Sequence, residues 1–234
     1  MATTPAVTIK TETVLAHHVR VCAWYPASTR LRTMVFYSHR LRTVTGWAHV
    51  VPRVRCAMNG GTYNTSTLRP SGNVWAHGAA IRRNDANAPA VGFVRGHLYF
   101  GYANARRHGA VNVMNGLAYL VRNGQGVSSR TQAPWTTRAQ FSCGPRGSDG
   151  WYGCFRSCAV QFKNGRVGLV EVSLASMPRA SRILRAMGVV NAITFDSGGS
   201  AELATPGHGY PVGSTVGTPW HRLLPDDMIV QAIR

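Results

Sequence analysis

Apolar positions along this chain come in short runs, and most of them lack a helical period. Residues 19–25 (VRVCAWY) and 33–38 (TMVFYS) are rich in β-branched and aromatic types and are bounded by Pro and Ser, which predicts strands. Residues 47–58 hold another apolar run, with Arg53 and Arg55 at alternate positions, and it ends in Asn59-Gly60-Gly61, a turn signal. Further short strands are predicted at 73–82, 91–95, 97–102 and 116–122, separated by Gly- and Asn-rich turns. Two apolar runs, 157–162 and 166–173, flank Lys163-Asn164-Gly165 and predict a β-hairpin. The helical spacing of Ala180, Ile183, Leu184 and Met187 follows next, with Ser176 as its cap, Pro178 in its first turn and Gly188 at its end. A buried strand is predicted at 189–195, running directly into Asp196-Ser197-Gly198-Gly199-Ser200, and a closing strand from Met228 to Ile233. Residues 123–155 are the least regular part, and a loop of that length in a compact domain is usually functional. Its Trp135, Trp151 and Tyr152 suit stacking on a sugar or base, or packing against the body. The pattern predicts a single α+β domain over 1–234, a mixed β-sheet with hairpins and one or a few helices.

Composition sharpens this picture. At 234 residues and 44% hydrophobic, the chain can bury a core, and wholesale disorder is excluded. No apolar stretch is long enough to span a bilayer, and no secretion signal is visible; the location is left open between cytoplasmic, exported by another route, and released or virion-associated. The net charge of +18 comes from 26 Lys+Arg against 8 Asp+Glu, and all but Lys10 and Lys163 of the basic residues are Arg. Such a balance favours anionic partners, nucleic acid or acidic glycans, although the basic residues are spread without a basic tail. The five cysteines are Cys22, Cys56, Cys143, Cys154 and Cys158. Their spacing lacks the paired pattern of a zinc site, and structural or unpaired thiols are the default, with a disulfide inside the last three as an alternative. No cofactor is predicted, and no ligand set for a divalent metal stands out.

Three segments carry candidate chemistry. Asn59-Gly60-Gly61 offers an amide and a backbone that a ligand can approach closely, though the same residues make ordinary turns. Asp196 ends a buried strand before a glycine turn, a place where a carboxylate is held firmly beside a ligand, and equally where an Asp caps a turn. Arg156 opens the first strand of the hairpin and can point its planar fork at a phosphate or carboxylate.

Together and in this order, these segments resemble the phosphodiester glycosidase domain family. Asn59-Gly60-Gly61-Thr62-Tyr63 is similar to that family's N-G-G-F-F, and Arg156 through Ser173 to its R-T-A-x-G strand, turn and following strand. Residues 192–200, closing on Asp196-Ser197-Gly198-Gly199-Ser200, are similar to its A-L-N-L-D-G-G-G-S, with Ser197 in place of the first glycine. His221 through Val230 resembles its closing R-x-V-P-x-x-L-x-V strand. The resemblance is clearest over 50–234, with 125–155 as a divergent loop. It implies a hydrolase that cleaves a sugar from a phosphodiester-linked glycoside, with an anionic carbohydrate as partner. Two alternatives stand beside it: a non-catalytic domain that grips an anionic glycan, and a basic nucleic-acid-binding protein. Under the resemblance Asp196, Arg156 and His77 are the catalytic candidates. Asn59, Gly60, Gly61, Ser197, Gly198, Gly199, Ser200 and Arg222 are the substrate-binding candidates. Asp226 and Asp227 are expected on an exposed turn, and Glu171 facing solvent or paired with an Arg.

Overall fold

A computed structural model describes residues 7–26, 31–49, 51–64, 66–84, 87–127, 132–134, 136, 141, 155–205 and 224–232. Every strand pairing among them is antiparallel. Three sheets form. The first contains β1 (Thr8–Val14), β2 (His17–Trp24), β10 (Ala118–Arg122), β11 (Gln125–Gly126), β12 (Arg156–Phe162), β13 (Val167–Val172) and β14 (Val189–Ser197), in the order β1-β2-β13-β12-β14-β10-β11. The second contains β3 (Leu31–Arg42), β4 (Val54–Asn59), β15 (Leu203–Ala204) and β16 (Leu224–Ala232), in the order β15-β4-β16-β3. The third contains β5 (Val74–Ala76), β6 (Ala79–Arg82), β7 (Ala90–Val94), β8 (His97–Phe100) and β9 (Asn112–Asn115), in the order β6-β5-β9-β7-β8. Helices are few: α1 (Val44–His49), α2 (Tyr102–Arg107) and α3 (Met177–Ala186) among the described residues.

The seven-stranded sheet is covered on both faces. On one face Val21, Leu120, Val160 and Val170 pack with Ile183 and Leu184 of α3. On the other, Trp24, Leu169, Ile193 and Phe195 meet Val35, Met58, Met114 and Met228 of the other two sheets. Double coverage explains why β12 and β13 read as nearly continuous apolar runs instead of alternating ones. Helix α3 starts where its cap predicts: the Ser176 side chain accepts a hydrogen bond from the Arg179 amide at 3.3 Å, and Gly188 follows its end at φ 79°. The hairpin turn at Lys163-Asn164-Gly165 also forms as predicted, with Gly165 at φ 82°.

The structure departs from the sequence expectation in several places. The run at 47–58 is not one strand but the end of α1, a turn and then β4. The predicted strand at 73–82 folds back on itself as the β5–β6 hairpin, with His77-Gly78 at its tip. Strand β1 and helix α2 lack an apolar signal because β1 is an exposed edge and α2 buries only Ala105. Asp226 and Asp227 belong to β16, where the Asp227 backbone lies opposite Asn59 on one side and Phe36 on the other. The balance of the fold is more strongly β than an even α+β mixture.

One covalent link joins two of the sheets: Cys22 on β2 and Cys56 on β4 form a disulfide. Spacing along the chain gave no hint of this pair, which is brought together only by sheet packing. Cys158 is a free, buried thiol. Cys143 and Cys154, like Trp135, Trp151 and Tyr152, lie outside the described residues.

Candidate active site

The ends of β4 and β14 and the starts of β12 and β15 meet at the side chain of Asn59, which is fully buried. Its amide nitrogen donates to the carbonyls of Gly60 and Asp196, both at 3.2 Å. Its amide oxygen accepts from the Ser157 hydroxyl and from the Glu202 backbone N–H at 3.1 Å. A carboxamide has two donors and two acceptor positions, so Asn59 is saturated by the protein itself. Backbone bonds tighten the junction: the Asn59 N–H reaches the Glu202 carbonyl at 3.3 Å, and the Asp196 N–H reaches the Gly60 carbonyl at 3.2 Å.

Asp196 stands at this junction with its side chain half-buried, one carboxylate oxygen accepting from the Ser197 N–H at 2.9 Å. Behind it lies Arg156, fully buried, whose Nε donates to the Ala175 carbonyl at 2.9 Å. The β12–β14 register sets Arg156 opposite Ser197, and the guanidinium interacts electrostatically with Asp196. Burial pulls the Arg156 pKa down to about 10, while the nearby Cys158 and Asp196 partly oppose that shift. At neutral pH it remains a cation, so a fixed positive charge backs the carboxylate.

The glycine-rich turn is the accessible side of the site. Ser197 and Gly198 are half-buried, Gly198 takes φ 68°, and its N–H bonds the Phe155 carbonyl at 3.3 Å. Ser200 is buried. Gly60 and Gly61 are buried too. Gly61 is a glycine because of a close approach: a side chain there would run into the carboxamide of Asn115. That Asn115 carboxamide is itself fully buried and finds no hydrogen-bond partner.

Under the junction runs a buried polar row. Register places Glu171 of β13 between Ser157 of β12 and Arg20 of β2, all on one face of the seven-stranded sheet. Glu171 is completely buried, which excludes the solvent-facing one of its two expectations, and it lies opposite Arg20 in register. Arg20 donates to the Leu203 carbonyl at 3.2 Å, and Ser157 to Asn59, so both ends of the row reach across to the four-stranded sheet.

The structure therefore brings together Asn59, Gly60, Arg156, Asp196, Ser197 and Gly198. It adds Ser157 and Glu202, which sequence reasoning did not single out. Glu202 is buried, and one of its carboxylate oxygens accepts from the Thr45 hydroxyl at 3.0 Å. Its partner Asn59 is 143 residues away in the chain, so no local signal could have flagged it. His77 is not part of this group. It sits on the β5–β6 turn at φ 50°, edge-on to Phe36 at 5.3 Å, and lines a different groove. Arg222 lies outside the described residues. Among the described residues, no group of three or more His, Cys, Asp or Glu is placed to hold a metal ion.

On this antiparallel scaffold a carboxylate stands at a strand end, with a buried arginine near it and a glycine turn following it. Comparison with known proteins gives that layout a family. Residues 52–230 match the model of the phosphodiester glycosidase family, and the chain belongs to that family. Among solved structures, it resembles the zebrafish N-acetylglucosamine-1-phosphodiester alpha-N-acetylglucosaminidase catalytic domain, auto-inhibited by its pro-peptide. That match has a TM-score of 0.71 at 19% identity and covers 99% of this chain and 85% of that one. It also resembles a hypothetical protein from Synechocystis with a TM-score of 0.80 at 14% identity, covering 99% of this chain but 63% of that one. No curated protein sequence matches this chain. At the level of the family, the domain is that of a hydrolase. No helix among the described residues is long and apolar enough to cross a membrane.

Proposed function

We propose that this protein hydrolyses a sugar from a phosphodiester-linked glycoside, with Asp196 as the group that takes a proton from the attacking water. The observation that carries this reading is the half-buried Asp196 carboxyl at the end of β14, backed by the buried Arg156 cation within a chain of this family. The water oxygen bonds to the anomeric carbon and its proton passes to Asp196. The electron pair of the breaking carbon–oxygen bond leaves with the phosphate monoester. A phosphate monoester is a stable anion, so departure does not require the second, protonated carboxyl of an ordinary glycosidase pair. Oriented charge and backbone dipoles suffice instead. Arg156 is too deeply buried to lie along a substrate, so its part is to hold Asp196 charged and aimed. The open turn at Ser197 and Gly198 is the surface offered to the sugar phosphate.

The test is release of sugar from phosphodiester-linked glycosides by wild type and Asp196→Asn. Loss of general-base help lowers turnover by about 10²–10⁴-fold, with the thermal unfolding midpoint nearly unchanged. Wild-type turnover in Asp196→Asn overturns the assignment. Isotopically labelled water places its label on the sugar; label on the phosphate overturns carbon–oxygen cleavage. Saturable glycan binding without turnover, insensitive to Asp196→Asn, identifies a non-catalytic glycan-binding domain, a reading that the Ser197 side chain in the glycine turn favours.

A further inference from the structure

On the five-stranded sheet, away from Asp196, lies an open groove of about 1050 Å³. It exceeds the roughly 300–1,000 Å³ typical of small-molecule pockets. Its rim is cationic and aromatic: Arg32 from β3, His77 and Arg95 from two hairpin turns, His97 and Tyr99 from β8, and His108 after α2. No carboxylate lines it among the described residues. Its apolar lining includes the largely buried Met34 and Phe93, with Val94 on the His97 and Tyr99 face of the sheet and Val111 about half exposed at its edge.

The rings are ordered. Strand alternation puts His97 and Tyr99 on one face of β8. Their centroids are 6.0 Å apart and their planes differ by 25°. His108 stacks on Tyr99 at 4.1 Å and 15°, and its Nδ1 lies 3.0 Å from the Asn104 carbonyl oxygen. The framework is fixed as well. Asn112 Oδ1 accepts from the Val35 N–H at 3.3 Å and the His77 N–H at 3.0 Å, locking β3 to the β5–β6 turn. The Trp24 indole donates to the Gly96 carbonyl at 2.8 Å and holds the turn that carries Arg95. Along β9, Asn112 belongs to this groove whereas Asn115, three residues on, lies against Gly61. The two sites thus occupy opposite ends of one strand.

Guanidinium forks with no opposing carboxylate select a phosphate backbone. The row of planar rings, His97, Tyr99 and His108, selects flat faces along that backbone. A pyranose can also lay a face on an aromatic ring, but that face is puckered and rimmed by hydroxyls, whereas a single-stranded nucleic acid brings a planar base and a phosphate at every residue. We propose that this groove binds single-stranded nucleic acid, independently of the chemistry at Asp196.

The experiment is fluorescence anisotropy of the full chain with a labelled dT oligonucleotide about ten nucleotides long, within the reach of one such groove. Inorganic polyphosphate and a sulfated glycan serve as competitors. The double variant Arg32→Ala/Arg95→Ala is expected to weaken dT binding at least tenfold. It should also flatten the slope of log affinity against log salt by about 1.4, two single-strand phosphate contacts. Tyr99→Ala and the milder, exposed His97→Ala are expected to weaken dT binding several-fold while leaving polyphosphate binding unchanged. All variants should keep the wild-type rate of any sugar release. Unchanged dT affinity in the folded arginine variant overturns the proposal. Equal loss of dT and polyphosphate binding in the ring variants also overturns it, as does a sulfated glycan that displaces dT as well as unlabelled dT does. Either result makes the groove a general polyanion or acidic-glycan surface.

Discussion

Asn59 gives the clearest link between one side chain and the site. Removing its carboxamide strands the Ser157 hydroxyl, the Glu202 N–H and the Asp196 carbonyl in a dry interior. Unsatisfied buried groups cost about 1–3 kcal/mol each. Asn59→Ala should therefore lower unfolding free energy by about 3–5 kcal/mol, read from the urea midpoint, and abolish activity by displacing Asp196. A variant as stable as wild type would show that the junction is held by the backbone alone. Cys158 tests the same interior in another way. Burial raises its thiol from 9.0 to about 12, against smaller lowering effects from Thr194 and Arg156. The folded value lies above the unfolded one, so the thiol's contribution to stability is complete below about pH 9 and disappears as pH rises towards 12. Arg156 runs the other way: its lowered value makes stability rise with pH above about 10. In the native protein at mildly alkaline pH, iodoacetamide should leave Cys158 unmodified and label it only after denaturation. Peptide mass mapping distinguishes it from Cys143 and Cys154.

Among the elements, those legible in the sequence were the ones with local instructions. The hairpin of β12 and β13 had its Asn-Gly turn, α3 had Ser176, Pro178 and Gly188, and β14 had an apolar run ending at a glycine turn. The elements that were missed have no such instructions. Strand β1 buries little, α2 buries one alanine, and the β5–β6 turn places His77 at a positive φ that no residue-type rule anticipates. The disulfide is of this second kind, because Cys22 and Cys56 belong to strands of different sheets. It closes a loop of 34 residues. In the chain-entropy picture a loop of that size is worth about 3–4 kcal/mol. Reduction, or Cys22→Ala with Cys56→Ala, should lower the thermal midpoint by several degrees, and the reduced wild type and the double alanine variant should unfold alike. An unchanged midpoint on reduction would show that sheet packing alone holds β2 to β4.

Across the whole molecule, the candidate site was legible as a list of residues but not as an arrangement. Asp196, Arg156 and the Asn59-Gly60-Gly61 strip were visible because glycine turns and strand ends mark themselves. Their roles were not visible. Asn59 resembled a ligand contact, and the structure spends its hydrogen bonds on the frame. Arg156 resembled a phosphate grip, and the structure buries it. His77 was a catalytic candidate under the resemblance, whereas the sheet carries it to the other end of β9. Of the 26 basic residues behind the net charge of +18, Arg156 is buried near Asp196, and Arg32 and Arg95 line the open groove elsewhere.

Strand β16 lies between β4 and β3, in the middle of its sheet. The strand that carries Asn59 therefore gains its central neighbour only from the far end of the domain, and the partners of Asn59 lie 98, 137 and 143 residues downstream. On a ribosome, β4 emerges long before anything that can complete it. Until then its polar groups must stay wet or be shielded by another protein. The order of translation thus delays the junction to the end of folding, and a nascent chain halted before residue 196 lacks both the proposed base and two of the groups that hold Asn59.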